Sequence, residues 1–373
     1  MSRKNKAASS QTQGKEAAKP ASLKTLAAHL HLSSATISRV LSGSPAARAI
    51  PKATQDRVLA AAKELHYQPN ALARSLRIQR SMTVGILVPE LSEGYATLVL
   101  GGIEQHLLEQ NYFYFVVSHH HRDDLIERYQ RLLVARSVEG ILAIDTLLQH
   151  TANMPTVMVS GHHEPSGVTN IVLNHRRAAA LAIDHLVALG HTAIAFIKGQ
   201  DFSSDTATRW LGIRHAAAKH RLKIEPQLVT QLEGSSPTHI PGYLATQRLL
   251  ETRSPFTALF AFNDISAIGA IRALREAGLR VPEDVSVIGF DDIQSAAFHN
   301  PGLTTVRQPL HTMGVLAAQR LLDQIYSKPN AHKPSPQHLM VDPELIVRET
   351  TCPPATNRIV DRSSAKVTRA RGK

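Results

Sequence analysis

The amino-acid sequence predicts an all-α N-terminal unit joined to a larger two-lobe α/β body with doubly wound parallel sheets. Apolar residues recur at helical spacing through residues 22–80, whereas residues 82–353 alternate short apolar runs with amphipathic helices. The apolar runs are continuous, as in strands that are buried on both faces of a parallel sheet. The body is longer than one such sheet requires, so we expect two lobes of similar construction.

Basic residues are concentrated at the two ends of the chain. Residues 1–81 contain 14 Lys and Arg against 3 acidic residues, residues 354–373 contain 6 against 1, and residues 82–353 contain 22 against 26. A basic end on a mildly acidic body favours a module that binds a polyanion such as nucleic acid. A solvated basic tail is the alternative, and for residues 354–373 both interpretations stay open.

The single cysteine, Cys352, excludes a disulfide framework and a cysteine-based zinc finger, and it favours a reducing compartment. The first twenty residues lack the apolar segment of a secretory signal. No window approaches the roughly 20 apolar residues that a membrane helix needs. We therefore expect a cytoplasmic protein without a membrane partner.

Three short helices are predicted in the N-terminal unit. They span Leu23–Leu30, Ala35–Leu41 and about Thr54 to His66. Ser22 can cap the first helix, Ser33 or Ser34 the second, and Gly43 ends the second. Two short helices with a tight turn and a third bracing helix predict a helix-turn-helix unit, although a plain three-helix bundle has the same spacing.

The second helix carries small polar side chains and one arginine on its outer face, as a helix that enters a DNA major groove does. Arg39 suits a bidentate contact to guanine, and the hydroxyls suit phosphates or base edges. Ala35 can offer only apolar contact, for example to a thymine methyl group. The DNA-contacting residues expected here are Ser33, Ser34, Ala35, Thr36, Ser38 and Arg39.

Two motifs carry a family resemblance, ATISRVLSG at residues 35–43 and YQPNALARSLR at residues 67–77. With them, residues 22–80 closely resemble the DNA-binding headpiece of the lactose/galactose-repressor (LacI/GalR) family of bacterial transcription regulators. The resemblance continues through residues 82–350, for example in VPEDVSVIGFDD. It implies a sensor core similar in fold to periplasmic sugar-binding proteins, with a small effector in the cleft between its lobes.

In that family the stretch matching Pro69–Arg77 is a hinge helix that orders on operator DNA, and two hinges of a dimer enter the minor groove. The resemblance makes Leu76 an apolar wedge between base pairs, where the alternative is an ordinary linker residue. Double-stranded palindromic operator DNA and a homodimer are the partners implied. The hinge residues expected to contact DNA are Asn70, Ala73, Arg74, Leu76 and Arg77.

Two features depart from the family pattern. The segment Gly43–Pro51 is longer than usual, and Pro51 stands where a serine cap is common, which leaves the entry to the third helix open. The C-terminal residues carry no apolar heptads, so a tetramerising coiled coil is not expected.

In the body, seven strands and six helices are predicted. The strands are Thr83–Val88, Phe113–Val117, Gly140–Ile144, Thr156–Val159, Ala193–Ile197, Ala258–Phe262 and Val285–Gly289. The helices are Leu98–Gln110, Asp124–Ala135, Arg177–Leu189, Gly212–His220, Gly242–Glu251 and Ser266–Ala277. Ligands of such sheets bind at the carboxyl ends of the strands.

Polar residues at those carboxyl ends predict the effector site. Asn263 and Asp291 each follow a strand, and Arg209 is expected at the start of a helix after the loop 199–208. Their donors and acceptors suit a polyhydroxylated ligand such as a sugar. These three residues match family ligand residues, and Gln308 lies at a crossover that often lines the site. The neighbouring Asp264 and Asp292 are interpreted as helix caps.

The first lobe offers weaker candidates. Tyr95, in the loop after the first strand, can stack on a sugar ring, and Ser160 and Asp145 end later strands. The histidines at 119–121 and 162–163 follow strands too, but consecutive residues in an extended chain diverge. They are therefore interpreted as polar lining or pH-sensitive loop residues, with no metal and no cofactor. Trp210 is assigned to packing.

These observations predict a ligand-responsive transcription regulator, a repressor associated with the nucleoid, that is not an enzyme. An enzyme or a solute-binding protein on the same fold is the alternative, but nucleotide-binding and nucleophile motifs are missing from the sequence. Ligand would shift the lobe arrangement and the hinge spacing. The expected divisions are 1–21 arm, 22–68 helix-turn-helix, 69–81 hinge, 82–353 sensor (first lobe 82–174 and 308–334, second lobe 175–307 and 335–353) and 354–373 tail.

Overall fold

The computed structural model describes residues 22–67, 75, 79–92, 94–151, 153–160, 167–327 and 337–355. The chain divides into two units, Met1–Arg80 and Ser81–Lys373. The hinge residues expected to contact DNA, namely Asn70, Ala73, Arg74, Leu76 and Arg77, lie outside the described residues.

The described part of the first unit is all-α, as predicted. Its elements are α1 (Leu23–Leu30), α2 (Ser34–Leu41), a 3-10 helix (Pro45–Ala49) and α3 (Lys52–Glu64). The Ser22 hydroxyl caps α1 by accepting from the Thr25 backbone N–H, and Ser33 caps α2 in the same way. Leu26, Ile37 and Val58 have no exposed surface and form the centre of the core.

The long segment between α2 and α3 is held by α3 itself. Gln55 Nε2 donates to the carbonyl oxygens of Ala47, at 3.0 Å, and Ile50, at 2.8 Å. Pro51 precedes α3 without a side-chain cap, and α3 begins at Lys52 rather than at the predicted Thr54. A proline fixes the φ of the chain as it enters the helix, so this helix starts without a serine.

Two six-stranded sheets form the second unit. Their strand orders are β11-β5-β4-β3-β1-β2 and β12-β10-β9-β8-β6-β7. All strand pairs are parallel except β10–β12. The strands are β1 (Thr83–Val88), β2 (Phe113–Ser118), β3 (Ile141–Ile144), β4 (Thr156–Val159), β5 (Thr169–Leu173), β6 (Ile194–Lys198), β7 (Val229–Gln231), β8 (Ala258–Phe260), β9 (Ser286–Asp291), β10 (Thr304–Arg307), β11 (His338–Val341) and β12 (Glu344–Ile346).

Helices connect the parallel strands and cover the sheets. They are α4 (Tyr95–Glu109), α5 (Asp123–Ala135), α6 (His175–Ala188), α7 (Ser204–Lys219), α8 (Ile240–Glu251), α9 (Asp264–Glu276), α10 (Gln294–Phe298) and α11 (Leu310–Tyr326), with a 3-10 turn at Pro226–Leu228. Among the described residues, no helix is both long and apolar enough to span a membrane.

Each sheet and its helices make one lobe. The first lobe contains the first sheet with α4, α5 and α11, and the second lobe contains the second sheet with α6 to α10. The described chain passes between the lobes at 173–175, 307–310 and 341–344. The prediction that residues 335–353 all belong to the second lobe is wrong, because β11 pairs in parallel with β5 and covers that edge of the first sheet.

Five strands were not predicted from the sequence, namely β5, β7, β10, β11 and β12. They span three to five residues each. In β10, which reads TTVR, buried threonines replace the aliphatic residues that signal a buried strand. The seven predicted strands all form, with ends that differ by no more than two residues.

Close helix pairs brace both lobes, and each depends on glycine. A Cβ at Gly102 in α4 would lie 1.9 Å from the carbonyl oxygen of His311 in α11. A Cβ at Gly269 in α9 would lie 2.1 Å from the carbonyl oxygen of His239, next to α8. No side chain fits at either distance, so these glycines let α4 and α9 lie directly against their neighbours.

Candidate functional site

A polar cavity lies between the two lobes, where the carboxyl ends of the strands of both sheets meet. The centre of a water molecule can occupy about 120 Å³ of it. Five residues expected to bind the effector line it, namely Tyr95, Asp145, Arg209, Asn263 and Asp291. Glu90, His121, Phe202 and Asp205 also line it and were not predicted as ligand residues.

Arg209 is buried at the base of the cavity and is only 3% exposed. Its Nη2 donates to Asp205 Oδ2 at 3.0 Å, and its Nη1 donates to the carbonyl oxygen of Phe262. The guanidinium carbon lies 4.3 Å and 3.6 Å from the ring centres of Phe262 and Phe290. These contacts fix its plane, while its Nε has no hydrogen-bond partner in the described structure.

The sequence predicted that Arg209 starts a helix. It lies instead within α7, which begins at Ser204. The prediction failed because the buried face of the first turns is polar. Asp205, Thr206 and Arg209 are buried there, so the apolar spacing that marks a helix is missing. Asp205 is held from its other side by His175 Nε2, at 3.2 Å.

Asp291 ends β9 on the opposite side of Arg209. Its backbone has φ of 107°, a region that non-glycine residues rarely adopt and that is often found at functional sites. Its Oδ1 accepts from Gln308 Nε2 at 2.6 Å. Burial raises the pKa of Asp291 to about 7, although the Arg209 charge acts to lower it.

Gln308 does not line the cavity, contrary to expectation. It is 3% exposed and lies behind Asp291, where its amide orients that carboxylate. Sequence position alone placed it at a crossover between lobes. Its side chain therefore acts on the cavity through Asp291.

The polar residues after β8 and β9 divide their roles differently from the prediction. Asn263 lines the cavity and also caps α9, since its Oδ1 accepts from the Ser266 backbone N–H at 2.9 Å. Asp264 is not a cap, because its carboxylate accepts from Ile293 N and Thr305 Oγ1 and joins α9 to the sheet. Asp292 is not a cap either.

Asp292 instead forms ion pairs with two arginines of the second lobe. Its oxygens lie 2.7 Å from Arg307 Nε and 2.6 Å from Arg348 Nη2. The two cap predictions failed because both carboxylates find partners that are distant in sequence. As expected, neither residue lines the cavity.

On the first lobe, Tyr95 and Ser160 form one hydrogen-bonded pair. Tyr95 is the first residue of α4 rather than part of a loop, and its hydroxyl donates to Ser160 Oγ. Burial, followed by repulsion from Asp205, raises the pKa of Tyr95 well above its usual value, so the phenol stays protonated. Ser160 is buried behind the ring and does not line the cavity.

Asp145 follows β3 and faces the second lobe. Its Oδ1 accepts from Ser204 Oγ at 2.8 Å, and the same hydroxyl contacts the Ser160 carbonyl oxygen. Ser204 is the first residue of α7, so this bond joins the two lobes. Burial, then repulsion from Asp205, raises the pKa of Asp145 to about 6.

The histidines after β2 have separate environments. His119 is buried with Nε2 2.9 Å from Thr146 Oγ1, and burial lowers its pKa to about 4. His121 lines the cavity, pairs with Glu90 at 3.2 Å and stacks on Phe202 of the second lobe at 4.0 Å between ring centres. His162 and His163 lie outside the described residues. Within the described ranges no group of three potential metal ligands converges.

Trp210 packs as expected. Its ring lies 5.8 Å from that of Phe196 in an edge-on arrangement, on the side of α7 away from Asp205. It is the only tryptophan of the chain. Its fluorescence therefore reports on the second lobe alone.

On the first unit, the outer face of α2 is formed by the residues expected to contact DNA. Ser33, Ala35 and Arg39 are exposed, and Ser34, Thr36 and Ser38 are half-buried, whereas Ile37 and Val40 face the core. The Ser33 hydroxyl is bound to Thr36. Arg39 is the only charged residue on α2.

Comparison with known proteins connects this geometry to a family. Residues 22–70 match the family model of bacterial regulatory proteins, lacI family, and residues 183–351 match a periplasmic binding protein-like domain. The transcriptional repressor PurR of Haemophilus influenzae is 33% identical over 341 residues, which cover 88% of this chain and 98% of PurR. This chain belongs to the LacI family. PurR of Aliivibrio fischeri is 31% identical over the same shares.

Solved structures of a repressor and of a transcriptional regulator share the fold. The lac repressor dimer bound to operator and an anti-inducer is 26% identical, with a TM-score of 0.76 over 90% of this chain and 100% of that one. The regulator CelR in complex with cellobiose is 28% identical, with a TM-score of 0.65 over 88% and 99%. As a member of the family, this chain is a DNA-binding transcriptional repressor with an effector-binding domain, and the enzyme alternative is dropped.

Proposed function

We propose that this LacI-family protein represses transcription as a homodimer on palindromic DNA and is controlled by a small polar effector, a sugar or sugar derivative, in the cavity between its lobes. The arrangement of Arg209, Asn263 and Asp291 around one cavity carries the proposal. Arginine, amide and carboxylate groups supply donors and acceptors at fixed positions, which suits a ligand rich in hydroxyl groups.

The closure of the cleft supports a ligand-driven switch. Ser204 bonds to Asp145 across the cleft, and His121 stacks on Phe202 beside it. A ligand that occupies the cavity contacts both sides of these bonds and so favours one arrangement of the lobes over another. A ligand that prefers the DNA-binding arrangement of the lobes strengthens DNA binding, and a ligand that prefers the other arrangement releases the repressor.

The homodimer is supported by an apolar face on the second lobe. Ile240 and Leu244 are 60% and 45% exposed and line a groove between α8 and α9. Large exposed apolar side chains that cluster on one face mark an interaction surface. A second copy of the chain would cover this face and supply the second helix-turn-helix unit that a palindromic site requires.

Operator selection tests the DNA-binding part. Genomic fragments retained by the full chain give the operator, and Arg39→Ala should then weaken operator binding by at least about tenfold, the equivalent of one good base contact. Arg57→Ala removes the same charge from the exposed side of α3 and should change affinity by much less. Equal losses from both variants would mean that Arg39 contributes only general charge.

The effector part is tested with the same operator. A thermal-shift screen of sugars, sugar acids and nucleobases identifies binders through the stabilisation they give. A binder that alters operator affinity, and whose stabilisation disappears in Arg209→Ala, supports the cavity as the effector site. A binder whose stabilisation survives Arg209→Ala contradicts it.

A further inference from the structure

The charges that line the cavity are unbalanced. Among the described residues that line the cavity, the carboxylates are Glu90, Asp145, Asp205 and Asp291, and Arg209 is the only lysine or arginine. The Arg209 charge is already taken up by Asp205 at 3.0 Å. Glu90 lies 3.2 Å from His121, which carries a charge only when its ring is protonated. In the described part of the chain, the other two lining carboxylates form no ion pair.

Asp145 and Asp291 are those two carboxylates, one on each side of the cleft. Within the described chain their hydrogen-bond partners are neutral, the Ser204 hydroxyl and the Gln308 amide, and neither aspartate forms an ion pair. Asp291 is 7% exposed. The Arg209 charge lowers the pKa of Asp291 without forming an ion pair with it. A buried carboxylate that no cation pairs with is unfavourable, and a ligand that brings a charge into direct contact reduces the penalty.

The remaining polar and aromatic groups describe the rest of the ligand. Arg209 Nε is a buried donor without a partner, so the ligand needs an acceptor such as a hydroxyl oxygen. Tyr95, Phe202 and Phe262 line the cavity with aromatic rings. Aromatic faces attract both a sugar-like carbon ring and a cation.

We propose that the effector is cationic, a small hydroxylated molecule with a protonated amine of the amino-sugar class, whose ammonium group lies between Asp145 and Asp291. This inference rests on the proposed function and narrows it. An anionic ligand such as a sugar acid or sugar phosphate would place its charge among four carboxylates and is excluded.

The charged neighbours of the two aspartates set the pH dependence. Asp291 faces Arg209 and Asp205 on α7, Asp264 on α9 and Asp145 across the cleft, and Asp145 faces Asp205 and His121. Burial and repulsion leave both aspartates partly protonated near neutral pH, with pKa values of about 6 and about 7. A cation must displace these protons, so its affinity should rise between pH 5.5 and 7.5, by about tenfold or more.

The experiment uses the full chain and three ring-matched probes, D-glucosamine, D-glucose and D-glucuronate, together with further amines, neutral sugars and sugar acids. Binding is followed by thermal shift and by Trp210 fluorescence. The strongest binder should be an amine, its affinity should rise with pH, and calorimetry in buffers of different ionisation enthalpy should show proton release. If a neutral or anionic compound binds most strongly, or if no amine binds, the proposal is overturned.

Two variants separate this proposal from the proposed function. Asp291→Asn keeps the size of the side chain and the acceptor for Gln308, and it should reduce amine affinity at least about tenfold. Asp323→Asn removes an exposed carboxylate of the first lobe and should change nothing. If the best binder is neutral or anionic but depends on Arg209 and alters operator affinity, the ligand class is wrong while the effector cavity stands. If binding of the best compound does not depend on Arg209, the assignment of this cavity as the effector site is wrong.

Discussion

The two lobes have the same strand order, and in each a side chain from the helix after the first strand reaches toward the end of the fourth strand. In the first lobe, Tyr95 of α4 bonds to Ser160 after β4, and both groups are neutral. In the second lobe, Arg209 of α7 lies near Asp291 at the end of β9, and both groups can be charged. Helices at equivalent places in one architecture thus contribute a neutral pair in the first lobe and a pair of ionisable groups in the second.

The difference shows which lobe controls what. Both Nη atoms of Arg209 donate to protein groups and its guanidinium lies against two aromatic rings, so the second lobe presents a fixed charge pattern. The first lobe contributes hydroxyls and two carboxylates, Glu90, which pairs with His121, and Asp145, whose partner belongs to the other lobe. We expect the second lobe to select the ligand and the first lobe to sense that it has arrived.

The largest expected effect comes from Arg209→Ala. This variant leaves Asp205 buried without its cation, which should lower the free energy of unfolding by about 3–5 kcal/mol. Urea unfolding followed by Trp210 fluorescence measures it. Arg177→Ala is the matched control, since its pair with Asp342 is 56% exposed on both sides and should contribute less than about 1 kcal/mol. Similar losses from both variants would show that the buried ion pair of Arg209 contributes no more to stability than an exposed one.

A pH-dependent effect should come from Asp291→Asn. The folded protein raises the pKa of Asp291 from 3.8 to about 7, so the unfolded chain loses this proton first as pH rises. The free energy of unfolding therefore falls between about pH 4 and pH 7, by at most about 4 kcal/mol for this group. Asparagine cannot ionise, so the variant should equal the parent at pH 4 and exceed its stability at pH 8.

Denaturant unfolding at both pH values checks this. Asp145→Asn should behave in the same way over a narrower range, because the pKa of Asp145 is raised only to about 6. An Asp291→Asn variant that is less stable than the parent at pH 8 would show that the ionised carboxylate of Asp291 stabilises the fold rather than destabilises it.

The smallest effect is expected from Tyr95→Phe. It removes one neutral hydrogen bond to Ser160 and should lower the free energy of unfolding by about 1 kcal/mol. Tyr114→Phe, which removes a bond to Glu104 at an exposed position, should cost less than this. Chemical denaturation of the full chain compares them. A loss from Tyr95→Phe that approaches that of Arg209→Ala would make the two sides of the cavity equivalent.

Local signals made much of the fold predictable. Ser22 and the apolar spacing after it gave the bounds of α1, and continuous apolar runs gave the central strands. The start of α7 was missed because Asp205, Thr206 and Arg209 are buried polar residues on its inner face. The short strands at the edges of the sheets were missed because three or four residues carry too little periodicity.

The candidate site was predictable only in part, and for a related reason. Asp145, Asn263 and Asp291 could be found because each directly follows or ends a strand. Glu90 and Phe202 were missed as members of the cavity, and Ser204 as the contact between the lobes, because their partners lie on other elements. His121 lines the cavity, in keeping with its interpretation as a polar lining residue. Gln308 was placed in the cavity by its chain position, but its side chain points to Asp291 instead.

The three passages of the chain between the lobes limit how the protein can be taken apart. A single break at 174 would leave one fragment with β1 to β5 and give α11 and β11, which complete that lobe, to the other fragment. Neither fragment would contain a whole first lobe. The two fragments should therefore be recovered as folded protein only when they are produced together and assemble into one complex. Exchanging one lobe for that of a relative would need three junctions, so a hybrid repressor is more simply built by transplanting the whole sensor.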